Sequence, residues 1–339
     1  MFMKKRVVIL MLAFFSVILV LAACGEKSPE KVLAKLEDRL STLDGYKADA
    51  EMKMNTGAEE QNYQIEVWHK KEDYYRVSLA SEHDEKNSQV ILKNDDGVFV
   101  LTPDLNKSFK FQTEWPENSS QPYLYQSLIN DVKNDKEATF TTSDTHYIFH
   151  TKTNYQSNNN LPFQEIYFDK KSYTPVLVKV LDKDKQPLVE VKFSRFDTDP
   201  SFEEDDFKME MNRGSEEEVS VSVDEVEGPL SVLFPLYTAD AQLEEKQEVE
   251  LENGERVIMT FTGEKNFTLI QEKTNAMPTL SYPKEVQGEI VNLGFTVGAL
   301  SDNIIEWNYN GVDFYLASED LTKEELIDVA SSVQGKEVK

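Results

Sequence analysis

The sequence predicts a mainly β protein with a few helices: an antiparallel sheet, strongly curved or closed, covered by two helices and followed by a small α+β unit. Three observations carry this. Between residues 46 and 193, apolar and polar residues alternate at period two through one segment after another, the signature of strands with one buried and one wet face. Two stretches repeat instead at helical spacing. Turn dipeptides and polar clusters separate neighbouring strands closely enough for hairpins, and consecutive hairpins make an antiparallel sheet.

The chain opens on a segment that is not part of that fold. Met1 to Arg6 holds Lys4, Lys5 and Arg6 and no acid, and Val7 to Val20 is apolar apart from Ser16. Leu21-Ala22-Ala23-Cys24-Gly25 follows. A basic start, a short apolar run and small residues before a cut predict a secretory signal peptide over residues 1–23. The apolar run, about 16 residues, is short for a retained membrane span. A cysteine directly after Leu-Ala-Ala resembles the lipobox of bacterial lipoproteins. That resemblance implies that the Cys24 thiol is diacylglycerylated and that Cys24 becomes the N-terminal residue. Two or more acyl chains, at ~0.8 kcal/mol per buried methylene, anchor stably where one does not. The expected location is the outer face of the cytoplasmic membrane, with the membrane itself as the first partner.

Residues 24–28 form a short tether. Ser28 is placed as an N-cap with Pro29 at the first helical position, where its missing N–H costs nothing. Val32, Leu33, Leu36, Leu40 and Leu43 then fall on one helical face, and Asp44-Gly45 ends the helix. In the next strand Tyr46, Ala48, Ala50, Met52 and Met54 alternate with Lys47, Asp49, Glu51 and Lys53. Tyr63, Ile65 and Val67 repeat the alternation, as do Tyr75, Val77 and Leu79. Val90 to Leu92 and Val98 to Leu101 flank Asn94-Asp95-Asp96-Gly97, a hairpin signal. Phe109 and Phe111 mark another strand, and Pro122 to Val132 reads as a helix through Leu124, Leu128 and Val132. Strands resume at Tyr147–His150, Ile166–Phe168, Val176–Leu181 and Val189–Phe193, the last two joined by Asp182-Lys183-Asp184-Lys185.

The leading helix, the strand Tyr46–Met54, Tyr75-Arg76-Val77 before an Asp-Gly hairpin, and Thr102-Pro103-Asp104-Leu105-Asn106-Lys107 resemble the LolA-like family. Ile166-Tyr167-Phe168-Asp169, Val176–Leu181 and Phe196-Asp197 … Phe207 continue the resemblance over about residues 28–211. It implies a half-open antiparallel β-barrel, closed by helices around an apolar cavity. Its members carry lipoprotein acyl chains, bind other lipids or sense the state of the envelope.

Arg213-Gly214-Ser215-Glu216-Glu217-Glu218 is polar and charged and predicts a linker over 214–228, between a first domain at 29–213 and a second at 229–339. Beyond it, Val249–Leu251, Val257–Phe261 and Phe267–Ile270 read as strands. Ile304–Tyr309 and Val312–Leu316 flank Asn310-Gly311, the strongest hairpin turn in the chain. Thr322-Lys323-Glu324-Glu325 is a capping box, with Leu321 and Leu326 set as a hydrophobic staple. Leu326, Ala330 and Val333 give the final helix one apolar stripe. This ending, with Trp307, Gly311 and Phe314-Tyr315-Leu316, resembles a domain of lipoproteins from spore-forming Gram-positive bacteria, and the whole arrangement is similar to the YdcC group of sporulation lipoproteins. Sporulation enters through that resemblance alone, which also implies work through partners in spore-envelope assembly and cortex processing.

Composition limits the chemistry. Cys24 is the only cysteine, so neither a disulfide scaffold nor a cysteine-ligated zinc site is available and a hydrophobic core must hold the fold. The net charge is -26, and residues 215–339 hold 26 acids against eight bases. Nucleic acid is therefore excluded as a partner, because phosphates need clustered Lys and Arg. His146 and His150 have the spacing of a helical metal pair but lie in a strand, too far apart for one ion. His69 and His83 are expected at the surface. Asp182, Asp184 and Gln186 begin like a calcium loop, but Pro187 and Phe193 stand where Gly and Glu are required. Glu203-Glu204-Asp205-Asp206 reads as a solvated acidic turn. No nucleophile elbow, dinucleotide fingerprint or phosphate loop is present, and no cofactor is expected.

What remains is the apolar interior. Met52, Met54, Tyr63, Ile65, Val67, Tyr75, Val77 and Leu79 face inward if the alternation holds, either as plain core or as the wall of a cavity for an acyl chain or an apolar segment of a partner. The expected function is a non-catalytic binding lipoprotein; the alternative is an interaction or sensory module that regulates an envelope partner. The anchor has a direct test. Cells fed radioactive palmitate should yield one labelled band for this protein, and Cys24→Ala should remove it; a label that persists in the variant would sink the lipoprotein reading.

Overall fold

The computed structural model describes residues 27–55, 60–71, 73–82, 88–103, 107–111, 120–157, 160–212, 230–252, 254–274, 283–294, 296–309 and 311–335. Cys24, His83 and the predicted linker lie outside them. Helix α1 (Pro29–Thr42) leads into strands β1 (Gly45–Met54), β2 (Gln61–Lys70), β3 (Tyr74–Ser81), β4 (Gln89–Asn94), β5 (Gly97–Thr102) and β6 (Lys107–Phe111). After α2 (Tyr125–Asn134) come β7 (Thr139–Thr142), β8 (His146–Lys152), β9 (Phe163–Asp169), β10 (Pro175–Leu181), β11 (Pro187–Asp197) and the short α3 (Met209–Asn212). The remainder is β12 (Phe234–Pro235), β13 (Gln242–Leu251), β14 (Gly254–Thr262), β15 (Phe267–Thr274), β16 (Lys284–Val286), β17 (Glu289–Asn292), β18 (Val297–Leu300), β19 (Ile304–Tyr309), β20 (Val312–Ala317), α4 (Lys323–Ser331) and β21 (Val333–Gly335).

Strands β1–β11 form one antiparallel sheet in the order β6-β5-β4-β3-β2-β1-β11-β10-β9-β8-β7. The sheet is open: its end strands do not meet. The period-two pattern explains the register. Ala48, Ala50 and Met52 of β1 face Val67, Ile65 and Tyr63 of β2, and Ile65 and Val67 face Leu79 and Val77 of β3. These residues are all buried, together with Val32 and Leu36 of α1 and Leu128 and Val132 of α2. The two helices therefore cover the apolar face, as the helical spacing required. Strands β4 and β5 are buried on both faces. Their outer side chains, Val90, Leu92, Phe99 and Leu101, are closed over by Phe202, Phe207 and Met209.

The second unit is a seven-stranded antiparallel sheet in the order β13-β14-β15-β20-β19-β18-β17, with α4 against β19 and β20. Gly311 sits at φ +74 in the turn between β19 and β20, a conformation that penalises a side chain and explains the glycine. The capping box forms: Thr322 Oγ1 accepts from the Glu325 N–H at 3.3 Å, and the Glu325 carboxylate accepts from the Thr322 N–H at 2.9 Å. The helix stops at Ser331, so Val333 belongs to β21 rather than to the helical stripe, and it reaches the core from there. Strand β13 is an outer edge with Leu243 and Val249 exposed among Glu244, Glu245, Glu248 and Glu250; charge is the usual guard of such an edge.

The two units share structure. Strand β16 leaves the second unit and pairs in parallel with β6, extending the first sheet to twelve strands. Buried polar contacts reinforce the join. Gln89 Nε2 donates to the Asn308 carbonyl at 2.9 Å, and Thr296 Oγ1 donates to Gln89 Oε1 at 2.8 Å. Lys107 Nζ bonds the Gly311 carbonyl at 3.2 Å and the Asp313 carboxylate at 3.1 Å. The hydroxyls of Tyr63 and Tyr309 meet at 3.2 Å.

One carboxyl lies inside the first sheet. Asp131, 5% exposed on α2, accepts from Ser120 Oγ at 2.8 Å and Gln164 Nε2 at 2.7 Å. Burial lifts it from 3.8 to about 6, against the lowering effect of those two bonds. The folded protein thus holds this proton more tightly than the unfolded chain. The stability it gives is complete below about pH 4 and is lost as pH rises through about 6. Asp131→Asn keeps the oxygen acceptor and removes the ionisation. Urea unfolding should find the variant more stable than the parent at pH 7.5 by up to about 3 kcal/mol, with the gap closing towards pH 4.

Candidate functional site

The eight inward residues all lie where the alternation put them. Met52, Met54, Tyr63, Ile65, Val67, Tyr75, Val77 and Leu79 are buried and belong to one core. Their surroundings are protein. The Tyr75 hydroxyl donates to Gln126 Oε1 on α2 at 2.6 Å, and the Tyr63 hydroxyl donates to Gln61 Oε1 at 2.7 Å. Burial pushes the Tyr63 phenol well above its ordinary value, helped by Tyr309, so it stays protonated. His69 corrects the surface assignment. It continues the inward series 63, 65, 67 and is buried, its ring stacked on Tyr75 at 4.5 Å and tilted against Tyr46 at 5.2 Å. Burial holds the imidazole below its ordinary range despite the Tyr74 carbonyl at 3.2 Å from Nδ1.

Met54, at the end of β1, borders open space. A cavity of about 420 Å³ lies at the seam between the two units, where the end of β1 meets the second unit. The first unit supplies Met54, Tyr155, Leu161, Leu188 and the turn Asp182-Lys183-Asp184; the second supplies Leu236, Tyr237, Leu293, Ile327 and Asp328. Its volume falls within the range of small-ligand sites, and its lining mixes apolar side chains with polar ones such as Ser157, Asn160, Asn292 and Ser331. Gly294 is at φ +88, and a Cβ there would lie 3.1 Å from Met54 Cε, so a larger residue would intrude on this wall. Leu236 and Tyr237 are 53% and 39% exposed, two of the few large apolar side chains that the described residues leave in solvent. A second space, of about 20 Å³, lies between Phe109 and Phe111 of β6 and Trp307 and Phe314 of the second unit, enough for one water.

The polar groups at the seam are fixed. The Asp182 carboxylate accepts the N–H groups of Asp184 at 2.9 Å and Gln186 at 2.8 Å and so holds its own turn. Asp328 is buried, and Ser157 Oγ donates to it at 2.5 Å. None of this is a metal site: among the described residues no group of three His, Cys, Asp or Glu could hold an ion. His146 and His150 are both on β8, with His150 Nδ1 3.3 Å from Glu165. Asp206 caps the Glu203 N–H at 2.9 Å, which makes the acidic run a turn.

The sporulation protein YdcC-like family matches residues 4–207. Sporulation protein YdcC of Bacillus subtilis (strain 168) is 46% identical over 341 residues, covering 99% of this chain and 100% of that protein. The chain belongs to the YdcC-like family. The family model and this relative are both named for sporulation. Among solved structures the chain is similar to the MucA/MucB complex of Pseudomonas aeruginosa, with 12% identity over 90% of this chain and 99% of that one and a TM-score of 0.36. It is also similar to a LolA superfamily protein of Nitrosomonas europaea, with 11% identity over 54% of this chain and 98% of that one and a TM-score of 0.29.

A packed interior and an open seam respond differently to truncation. Ile65→Ala should cost ~2–5 kcal/mol in urea unfolding, about as much as Leu326→Ala, because each leaves a void in close-packed surroundings. Leu236→Ala, at the exposed rim, should change stability by less than ~0.5 kcal/mol. A cost at Ile65 as small as that at Leu236 would place open volume inside the sheet after all.

Proposed function

We propose that this protein is a non-catalytic binding lipoprotein of the envelope of a sporulating cell. Cys24 carries the lipid that holds it on the outer face of the cytoplasmic membrane, and the seam cavity receives an apolar ligand. That ligand is an acyl chain of a lipid or lipoprotein, or an apolar segment of an envelope partner. The observation that carries the reading is the cavity itself. It is wide, lined by apolar side chains from both units, and rimmed by Leu236 and Tyr237, whose exposure has no role in packing. The inner face of the first sheet supports a scaffold role instead, since α1 and α2 fill it. Family membership supports the sporulation setting, and the chain from Met1 to Cys24 supports the anchor.

An uncharged photoreactive probe tests the binding claim without prejudging the ligand. Benzophenone irradiated with the full chain in phosphatidylcholine vesicles should form adducts on Tyr155, Leu161, Leu236, Tyr237 and Ile327. Leu236→Ser with Tyr237→Ser, both at exposed positions, should cut the yield about tenfold while the thermal midpoint is kept. Adducts scattered over the surface, or none at the seam, would refute this reading.

A further inference from the structure

The seam cavity has a charge asymmetry that an acyl-chain site has no use for. Its floor is apolar, through Met54, Leu161, Leu293 and Ile327. Its lining includes Asp182 and Asp184 from the β10–β11 turn and Asp328 from α4, with Lys183 the one base among the lining residues. The neighbourhood beyond has the same sign. The Tyr237 hydroxyl at the rim is pushed above its ordinary range by burial and then by Asp328, Glu325 and Asp240, with Lys265 acting the other way. Lys265 is itself tied to Glu325. We infer that the seam cavity takes an extended segment of a partner protein in which an aliphatic or aromatic side chain stands beside Lys or Arg.

The inference rests on the binding function proposed above and narrows its ligand. The apolar side chain would pack on Met54, Leu161, Leu293 and Ile327, and the basic one would meet the carboxylates of Asp182 and Asp184. Tyr237 offers a ring face to a guanidinium or to the stem of a lysine. Little ordering is needed in the Asp182 turn, already closed by its two N–H bonds, while Asp328 is buried and held by Ser157. An anionic lipid is disfavoured by the same geometry, because a carboxylate or phosphate head would sit among like charges. A second copy of this chain, with its own net charge of -26, is disfavoured for that reason too.

Two blocked peptides that differ only in sign decide the matter. Each carries benzoylphenylalanine between leucines, with lysine at both ends in one and glutamate at both ends in the other. On the full chain in phosphatidylcholine vesicles the lysine peptide should label the seam at about tenfold lower concentration than the glutamate peptide. Asp182→Asn with Asp184→Asn keeps the turn's oxygen acceptor and should reduce the preference to below about threefold, while plain benzophenone still labels the seam. Equal labelling by the two peptides would overturn the inference and leave the binding function standing. A preference undiminished in the double variant would also overturn it, by assigning the effect to overall charge. Displacement of the lysine peptide by dihexanoylphosphatidylglycerol would overturn it in favour of a lipid. Failure of plain benzophenone at the seam would remove both readings together.

Discussion

The two units are joined by hydrogen bonds between buried polar groups, and the seam cavity lies along that join. Gln89 is spent at both ends of its amide, on the Asn308 carbonyl and the Thr296 hydroxyl, and all three residues are buried. If the units moved apart, these groups would be left unpaired until solvent reached them, at a cost of roughly 1–3 kcal/mol each. The buried edge of Asn308 and Thr296 also fixes β18 and β19, and through them the turn that carries Leu293 and Gly294 to the cavity wall. A small number of satisfied polar groups thus holds together the two units that both line the site.

That arrangement explains what sort of ligand chemistry the molecule can support. Its interior contains a lifted carboxyl, Asp131, and an imidazole, His69, held below its ordinary range, and both are committed to structure. Asp131 bonds Ser120 and Gln164, and the Ser120 carbonyl in turn accepts from Asn292 at 3.3 Å across the seam. His69 is wedged between aromatic rings. Neither lines the seam cavity, where the shifted groups are the phenols Tyr155 and Tyr237, both raised by burial and so held protonated.

The first sheet was largely legible in the sequence because alternation encodes a face directly. Tyr63, Ile65 and Val67 predicted their own burial, and His69 would have been placed correctly by extending the same parity two residues further. The capping box at Thr322 and the Asn-Gly hairpin were equally local and equally readable. Strands β7, β16, β17 and β18 were missed because each has only three or four residues, too few to display a period. The cavity was illegible for a different reason. Met54, Tyr155, Leu236, Leu293 and Ile327 come from five separated segments, and nothing local distinguishes Leu236 from a core leucine. Alternation says which way a side chain points, not whether another element arrives to fill the space in front of it.

Strand β16 has a consequence in time. Phe109 of β6 pairs with Lys284, 175 residues later in the chain. As the protein emerges from the ribosome, the outer edge of β6 must wait for that distant segment, with its backbone donors and acceptors bare. Contacts of such long sequence separation form slowly, and unpaired edges are where nascent chains stick to one another. The central pair β1–β11 waits as well, since Met54 meets Val189. Assembly of this molecule is therefore governed by its latest arrivals, and the interval before they arrive is when it has most need of a chaperone.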